Sequence, residues 1–296
     1  MKKVLVTGAS GFIAYHVIEN LINSNFDVLG VDLLEPEHPF EDCKYLKMNV
    51  VDLSEKELKG VEYIIHLACD TNIRNSIENP VSTTDNNLGI TIKLLSLATK
   101  LKIKKFLFPS TASMYGTNLI PWKEDMISDP GEPYSWQKIS IEYALKMWTS
   151  RYKLPTTILR LFQVFGENQR KDTAIAAFIN QKKNNKPITL IRSSEKSKFN
   201  TGRRDWIYVK DIAEAFKLSL ISNNTGKGEI INIASGKLIS VEEIAKTVGG
   251  EITFLPSRDY EVDDHLAEVT KAKEILNWEY KTDVIPWLKD YLKKNL

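Results

Sequence analysis

The run Lys3-Val4-Leu5-Val6-Thr7-Gly8-Ala9-Ser10-Gly11-Phe12-Ile13-Ala14 decides the fold. A short apolar stretch of strand length stops at Gly8, and an amphipathic stretch over 12–24 starts directly behind Gly11. Strand, glycine turn and helix in immediate succession make a phosphate cradle. Gly8 permits the tight turn, and Gly11 lets the backbone approach a pyrophosphate at the helix N-terminus, where free N–H groups favour anions. The third glycine position is Ala14, small enough for close helix–strand packing. The next apolar run ends in Gly30-Val31-Asp32. A carboxylate roughly 20 residues beyond the loop can accept hydrogen bonds from an adenosine ribose and repels a 2′-phosphate, so NAD is expected rather than NADP.

Outward from this motif the same rhythm repeats. Strands are expected at 3–7, 27–32, 45–49, 63–67, 105–109 and 156–161, with helices at 12–24, 85–101 and 134–152. Such alternation predicts an α/β fold, a Rossmann-like doubly wound parallel sheet with helices on both faces. After Leu161 the pattern shortens: a helix at 173–183, a strand at 188–191, a charged loop over 192–204, then 206–209, a helix at 211–222, 229–234 and a helix from Val241. The expected division is an NAD-binding domain over 1–162, with 205–235 returning to it. Residues 163–204 and 236–296 would form a smaller C-terminal substrate-binding lobe.

The 296 residues are 43% hydrophobic and 26% charged, an ordinary globular balance. Forty Lys+Arg against 38 Asp+Glu leave a net charge of +2, which gives no reason to expect a nucleic-acid or membrane partner. No apolar run approaches the roughly 18–20 residues that span a bilayer, and the first one breaks at Gly8, too short for a signal peptide. A cytoplasmic location is therefore expected. Cys43 and Cys69 have neither disulfide nor metal-ligand spacing and are expected to be small buried hydrophobes; no metal is expected.

Tyr134-Ser135-Trp136-Gln137-Lys138 places a tyrosine and a lysine one helical turn apart on one face. An ammonium beside a phenol favours the phenolate and makes the tyrosine a usable base near neutral pH. Upstream, the strand at 105–109 runs into Ser110-Thr111-Ala112-Ser113-Met114-Tyr115-Gly116, so a hydroxyl at its end could hydrogen-bond the substrate oxygen.

With these motifs in order, the chain resembles the extended short-chain dehydrogenase/reductase family, specifically its nucleotide-sugar branch and most closely the UDP-glucose (UDP-galactose) 4-epimerases. His66-Leu67-Ala68, Asp85-Asn86-Asn87, Leu159-Arg160-Leu161-Phe162, Arg203-Arg204-Asp205-Trp206 and Leu276-Asn277-Trp278 carry the resemblance along nearly the whole chain. It implies that Gly8, Ser10, Gly11, Phe12 and Ile13 cradle the pyrophosphate and that Asp32 and Leu33 hold the adenosine ribose. Asn49 and Val50 would flank the adenine, and Leu67, Ala68, Thr71 and Asn86 would line the cofactor further along. Thr111, Tyr134 and Lys138 would be the catalytic trio, the last two also touching the cofactor. His66 would be structural.

On the same resemblance, the reaction begins by oxidising the sugar at C4, with hydride passing to NAD. Similar 4,6-dehydratases carry Asp-Glu and related decarboxylases Ser-Glu just after the threonine. Ala112-Ser113 disfavours both. That leaves 4-epimerisation of UDP-glucose/UDP-galactose or their N-acetyl analogues, or alternatively a 4-ketoreductase or dehydrogenase acting on a nucleotide sugar. A non-enzymatic NAD sensor on this fold is disfavoured by the intact trio. On the substrate side, Arg204 and Arg258 would pair with the diphosphate through charge-assisted contacts. Gln163 stands where the family commonly has asparagine, Ile191 near the nucleotide base, and His265 where side-chain bulk limits groups at sugar C2. Helices 85–101 and 134–152 would form the interface of a homodimer.

Overall fold

The computed structural model describes residues 1–257 and 262–295. In its first strand, β1 (Lys3–Thr7), successive side chains face opposite ways. Val4 and Val6 enter one apolar core and Leu5 another. A strand that is apolar on both faces must be covered on both. One cover is α1 (Phe12–Asn23), through Val17, Ile18 and Leu21. Next come β2 (Asp27–Asp32), β3 (Cys43–Lys47), β4 (Tyr63–His66), the short α2 (Ile73–Glu78), α3 (Pro80–Lys100), β5 (Lys105–Thr111), α4 (Pro133–Tyr152) and β6 (Thr156–Leu161). Leu94 and Leu95 of α3 and Ile141 and Leu145 of α4 cover the Leu5 face.

The second half begins with β7 (Gln163–Phe165), α5 (Ala174–Lys183), β8 (Ile188–Ile191), β9 (Arg203–Tyr208), α6 (Val209–Ile221) and β10 (Glu229–Ile233). It ends with β11 (Leu238–Ser240), α7 (Val241–Val248), β12 (Ile252–Leu255), β13 (Asp264–His265), α8 (Thr270–Leu276) and α9 (Val284–Asn295). The main sheet, all parallel, runs β10-β6-β5-β4-β1-β2-β3. The chain winds outward from β1 through β2 and β3, then restarts at β4 on the other side of β1. The crevice where the winding reverses lies beyond the C-terminal ends of β1 and β4, the usual ligand position in such sheets. β9 pairs with β7, β11 and β13, and β8 with β12, so only β10 of these later strands joins the main sheet. A third core, with Phe165, Phe178, Trp206, Ile244 and Leu288, holds this second layer together.

Several boundaries differ from the sequence reading, three of them in the first half. The edge strand at 45–49 lies two residues earlier, at Cys43–Lys47. α3 starts at Pro80 rather than residue 85, because proline at the first helical position forgoes an N–H that has no partner there anyway. β5 runs through Pro109 to Thr111: the pairing with β4 ends at Leu107, so the proline falls where the strand is paired on the β6 side alone. That extension carries Thr111 to the crevice.

One buried network locks α4 to the sheet. Arg160 of β6 donates from Nε and Nη2 to the two Glu142 carboxylate oxygens at 3.0 and 2.7 Å, and from Nη1 to Tyr115 Oη at 2.8 Å. Tyr115 Oη in turn donates to Asn232 Oδ1 of β10 at 2.7 Å. Arg160 and Glu142 are both nearly fully buried. Removing one partner leaves the other charge uncompensated in a dry interior. Glu142→Ala is expected to destabilise the fold by about 3–5 kcal/mol in denaturant unfolding; a loss below about 1 kcal/mol would show that the pair does not hold the helix.

Candidate active site

A cavity of about 660 Å³ opens at the C-terminal ends of β1, β4 and β5. Gly8 forms its floor with φ +68, and a Cβ there would come within 2.7 Å of the Ala68 backbone nitrogen. Only glycine meets both demands. Gly11 is the N-cap of α1, and no side chain caps that helix or places an acid in its first turn. The first N–H groups of α1, at Phe12, Ile13 and Ala14, therefore face the cavity wall as an anion cradle. Asp32 sits at the lip with each oxygen already accepting one backbone N–H, from Ser10 and from Leu34, both at 3.0 Å. These bonds aim the carboxylate and leave further lone pairs for hydroxyls.

The strand ends are tied by a chain through His66. Ala68 N–H donates to Thr7 Oγ1 (3.2 Å), which meets His66 Nδ1 at 2.7 Å. His66 Nε2 meets Thr91 Oγ1 at 3.0 Å, and the Thr91 hydroxyl donates to the Asn87 carbonyl. With the Thr91 proton thus committed, the histidine donates from Nε2 and accepts at Nδ1. Burial, with the Lys138 charge nearby, lowers its pKa to about 3, so it stays neutral as a brace. Asn87 extends the brace by accepting Asp70 N–H and donating to Gln137 Oε1 of α4 at 2.7 Å.

Tyr134 and Lys138 project from the first turns of α4 into the same cavity. Lys138 Nζ donates to the Pro109 carbonyl at 3.0 Å and lies 4.4 Å from the Phe108 ring centre and 5.8 Å from that of Tyr134. Burial above all, then the Cys69 thiol and the Glu132 carboxylate, push the Tyr134 phenol well above its ordinary value. Without additional positive charge beside it, the phenol keeps its proton. Thr111 stands opposite at the end of β5, and the neighbouring Ser110 hydroxyl is buried with no partner at the same wall. An uncapped helix start, a glycine cradle and an orphaned hydroxyl all suit a dinucleotide.

Leu33, Asn49, Val50, Leu67, Thr71, Asn86 and Gln163 also line this cavity. Asn49 Oδ1 caps its own short helical turn by accepting Val51 N–H, and Asn86 donates to Asn87. Several expected residues lie elsewhere. Ser10 is outside the wall and links the glycine loop to the segment after β2, its hydroxyl donating to the Leu34 carbonyl at 2.7 Å. Ile191 ends β8, paired with β12. Arg204 donates from Nη1 to the carbonyls of Arg203 and Asp263 at 3.0 and 2.8 Å. His265 is in register with Arg204 and packs 4.9 Å from Trp122, and burial plus the Arg204 charge hold it neutral. Arg258 lies outside the described residues.

Cys69 and Arg170 are among the cavity residues that carry no local sequence signal. Cys69, expected among core hydrophobes with Cys43, is instead at the wall beside Lys138; burial pushes its thiol up. Cys43 does join the core. Arg170, from the loop after β7, hydrogen-bonds Thr71 across the cavity mouth and pairs with Asp172 at 3.0 Å. Among the described residues no group of acidic, histidine or cysteine side chains could hold a metal, and no helix is long and apolar enough to cross a membrane.

Residues 4–234 match the model of the NAD dependent epimerase/dehydratase family. A putative UDP-glucose 4-epimerase of Methanocaldococcus jannaschii is 33% identical over 97% of this chain and 98% of its own. A UDP-glucuronate 4-epimerase of Thermodesulfobacterium geofontis is 31% identical over 99% and 96%. Among solved structures, the UDP-N-acetylglucosamine 4-epimerase of Methanobrevibacter ruminantium, in complex with UDP-N-acetylmuramic acid, superposes with a TM-score of 0.89 at 29% identity, covering 99% of this chain and 97% of its own. Gly8→Ala is expected to weaken NAD binding at least about 100-fold in a calorimetric titration, since the strained turn and the Ala68 contact both oppose a Cβ. Near-normal affinity would mean that the cradle lies elsewhere.

Proposed function

Because the chain belongs to the NAD dependent epimerase/dehydratase family, we propose that it is a nucleotide-sugar 4-epimerase of the extended short-chain dehydrogenase/reductase type. The observation that carries this reading is the meeting of Thr111, Tyr134 and Lys138 with the glycine cradle in one cavity. Two of its relatives by sequence are a protein named as a putative UDP-glucose 4-epimerase and a UDP-glucuronate 4-epimerase. The proposed substrate is accordingly a UDP-hexose or one of its N-acetyl or uronic analogues.

NAD, when bound, supplies a hydride acceptor at sugar C4 and a positively charged ring beside the phenol. Gly8, Gly11, Phe12 and Ile13 would hold the pyrophosphate, Asp32 and Leu33 the adenosine ribose, and Asn49 and Val50 the adenine. Leu67, Ala68, Thr71 and Asn86 would flank the remainder. Tyr134 is the proposed base for the C4 hydroxyl. Lys138 keeps a fixed positive charge near it, held by the Pro109 carbonyl, and offsets the cost of the phenolate in this buried place. Thr111 binds the same sugar oxygen. Gln163, at the start of β7, reaches the cavity from the substrate side, and Arg170 contributes a cation at its mouth. Proposed substrate roles for Ile191, Arg204, Arg258 and His265 concern the nucleotide, the diphosphate and sugar C2.

Incubation with UDP-glucose, UDP-galactose, their N-acetyl counterparts and UDP-glucuronate, without added reductant, should interconvert one C4-epimer pair with no net change at the reduced-nicotinamide absorbance. Tyr134→Phe should lower that turnover by about 100- to 10,000-fold while sparing NAD binding. Full activity in this variant would remove Tyr134 as the base. Consumption of added reductant instead of interconversion would assign a 4-ketoreductase.

A homodimer in the cytoplasm is the proposed state. Trp136, Tyr143 and Met147 form an exposed stripe along α4, and Val81 and Ile92 are exposed on the adjoining α3. Spacings of seven and four put the α4 residues on one helix face. Gel filtration should give about twice 33.8 kDa, and Tyr143→Glu should shift it to the mass of one chain. A wild-type mass near that of one chain would overturn the dimer.

A further inference from the structure

The proposed base is in the first turn of α4, where N–H groups have no partner within the helix and must find one outside it. Pro133, at the start of the helix, has no N–H to satisfy. The Ser135 N–H donates to the Glu132 side chain at 3.0 Å, and the Trp136 N–H makes the first helical bond, to the Glu132 carbonyl at 3.2 Å. The N–H that this leaves belongs to Tyr134 itself. It crosses to another helix and donates to Ser76 Oγ of α2 at 3.2 Å.

Ser76 is built for this contact. It is buried, and it is not part of the cavity wall. Its hydroxyl proton is committed to the Ile73 carbonyl at 2.7 Å, which turns a lone pair to the Tyr134 N–H. The helix that carries it is anchored in turn. Asn72 Oδ1 accepts the Asn75 N–H at 3.0 Å, and the Asp70 carboxylate accepts from the Asn72 N–H at 3.0 Å and from Asn75 Nδ2 at 2.6 Å. The Asn87 side chain holds both the N–H and the carbonyl of Asp70, at 2.8 and 3.0 Å. A line of hydrogen bonds thus runs from the histidine brace, along α2, to the backbone of the tyrosine.

The lever arm makes this contact matter. By ordinary bond lengths a tyrosine oxygen is about 6.5 Å from its own Cα, so a tilt of about 10° at the backbone moves it by about 1 Å. The Glu142–Arg160 pair lies eight residues further along α4 and fixes the body of the helix. A first turn frays unless it has anchors of its own. At its other end the phenol faces the Thr111 hydroxyl.

We propose that Ser76 is a positioning residue for the base: by accepting the Tyr134 N–H it pins the first turn of α4 to α2 and keeps the phenol in place beside Lys138 and Thr111. This rests on the reading of Tyr134 as the base of a 4-epimerase.

The test is the Ser76→Ala variant, followed by steady-state kinetics on the UDP-sugar pair that the wild-type enzyme interconverts and by calorimetric titration with NAD. The kcat should fall about 10- to 100-fold, the order expected for misplacing a reacting group by about 1 Å. KM and the NAD Kd should stay within about twofold of wild type. In a Tyr134→Phe background no base remains to be positioned, so adding Ser76→Ala should change the residual rate by less than about twofold. An unchanged kcat in Ser76→Ala, an equal fall in the Tyr134→Phe background, or a loss of NAD affinity that parallels the loss of kcat would each reduce Ser76 to a structural residue of α2 and overturn the inference. Failure of the wild-type enzyme to interconvert any C4-epimer pair of UDP-hexoses or UDP-uronates would instead overturn the 4-epimerase reading, and this inference with it.

Discussion

The chemistry proposed for this protein depends on how α4 is held, and what holds it is the buried, bidentate pair between Glu142 and Arg160. The helix begins at Pro133, so Tyr134 and Lys138 are in its first two turns, while Glu142 lies one turn beyond Lys138. A rotation of the helix about its axis would move all three together. The Arg160 fork fits a carboxylate in one plane and resists that rotation. Gln137, on the same helix, adds a second fixing point through Asn87 and the hydroxyls of Thr83 and Thr84. Both networks are polar and nearly dry, so partial satisfaction would be costly. The position of the phenol is thus set by groups outside the cavity wall.

The second layer is attached by a similar device. Asp205, fully buried in β9, accepts from Ser235 N–H and Oγ, from Gly236 N–H and from Ala267 N–H. Burial raises its pKa to about 6 even though every one of these donors favours the carboxylate. One side chain therefore joins β9, the turn after β10 and the segment after β13. Trp122, buried against His265, connects that same segment to the loop after β5 through its backbone bonds with Leu266 and Glu268. The second layer is fixed to the main sheet by hydrogen bonds to a few buried groups, in addition to the apolar contacts of its own core.

What could be read from the sequence was whatever depends on short spacing. Gly8, Gly11 and Asp32 follow from the strand–turn–helix order, Tyr134 and Lys138 from one helical turn, and the main strands from their apolar runs. Residues that act through distant partners left no such mark. Cys69 and Arg170 look like any cysteine and any loop arginine until the fold brings them to the wall. Ser113 was informative only as the lack of an acid, yet its hydroxyl lies 2.9 Å from Thr111 Oγ1 and 2.7 Å from Ser135 Oγ on the next helix. Pro109 signalled a strand end because the sequence does not show where β4 stops pairing. Arg204 resembles a diphosphate partner, and the bonds from its Nη1 to the Arg203 and Asp263 carbonyls are a tertiary fact that no motif contains.

The electrostatics around Tyr134 give the cavity a further property. Its burial, the thiol of Cys69 and the carboxylate of Glu132 all oppose the phenolate, and Lys138 is the fixed cation on the same helix face. Two rings and a carbonyl surround that ammonium, so its field is directed but partly spent on Pro109. In the proposed reading of Tyr134 as the base, a phenol raised this far would keep its proton until further positive charge enters the cavity. NAD, which Gly8 and Gly11 are proposed to hold, would supply that charge in its oxidised form and not in its reduced form. Proton removal and hydride removal would then be favoured in the same state of the site, and burial of Tyr134 would couple the two.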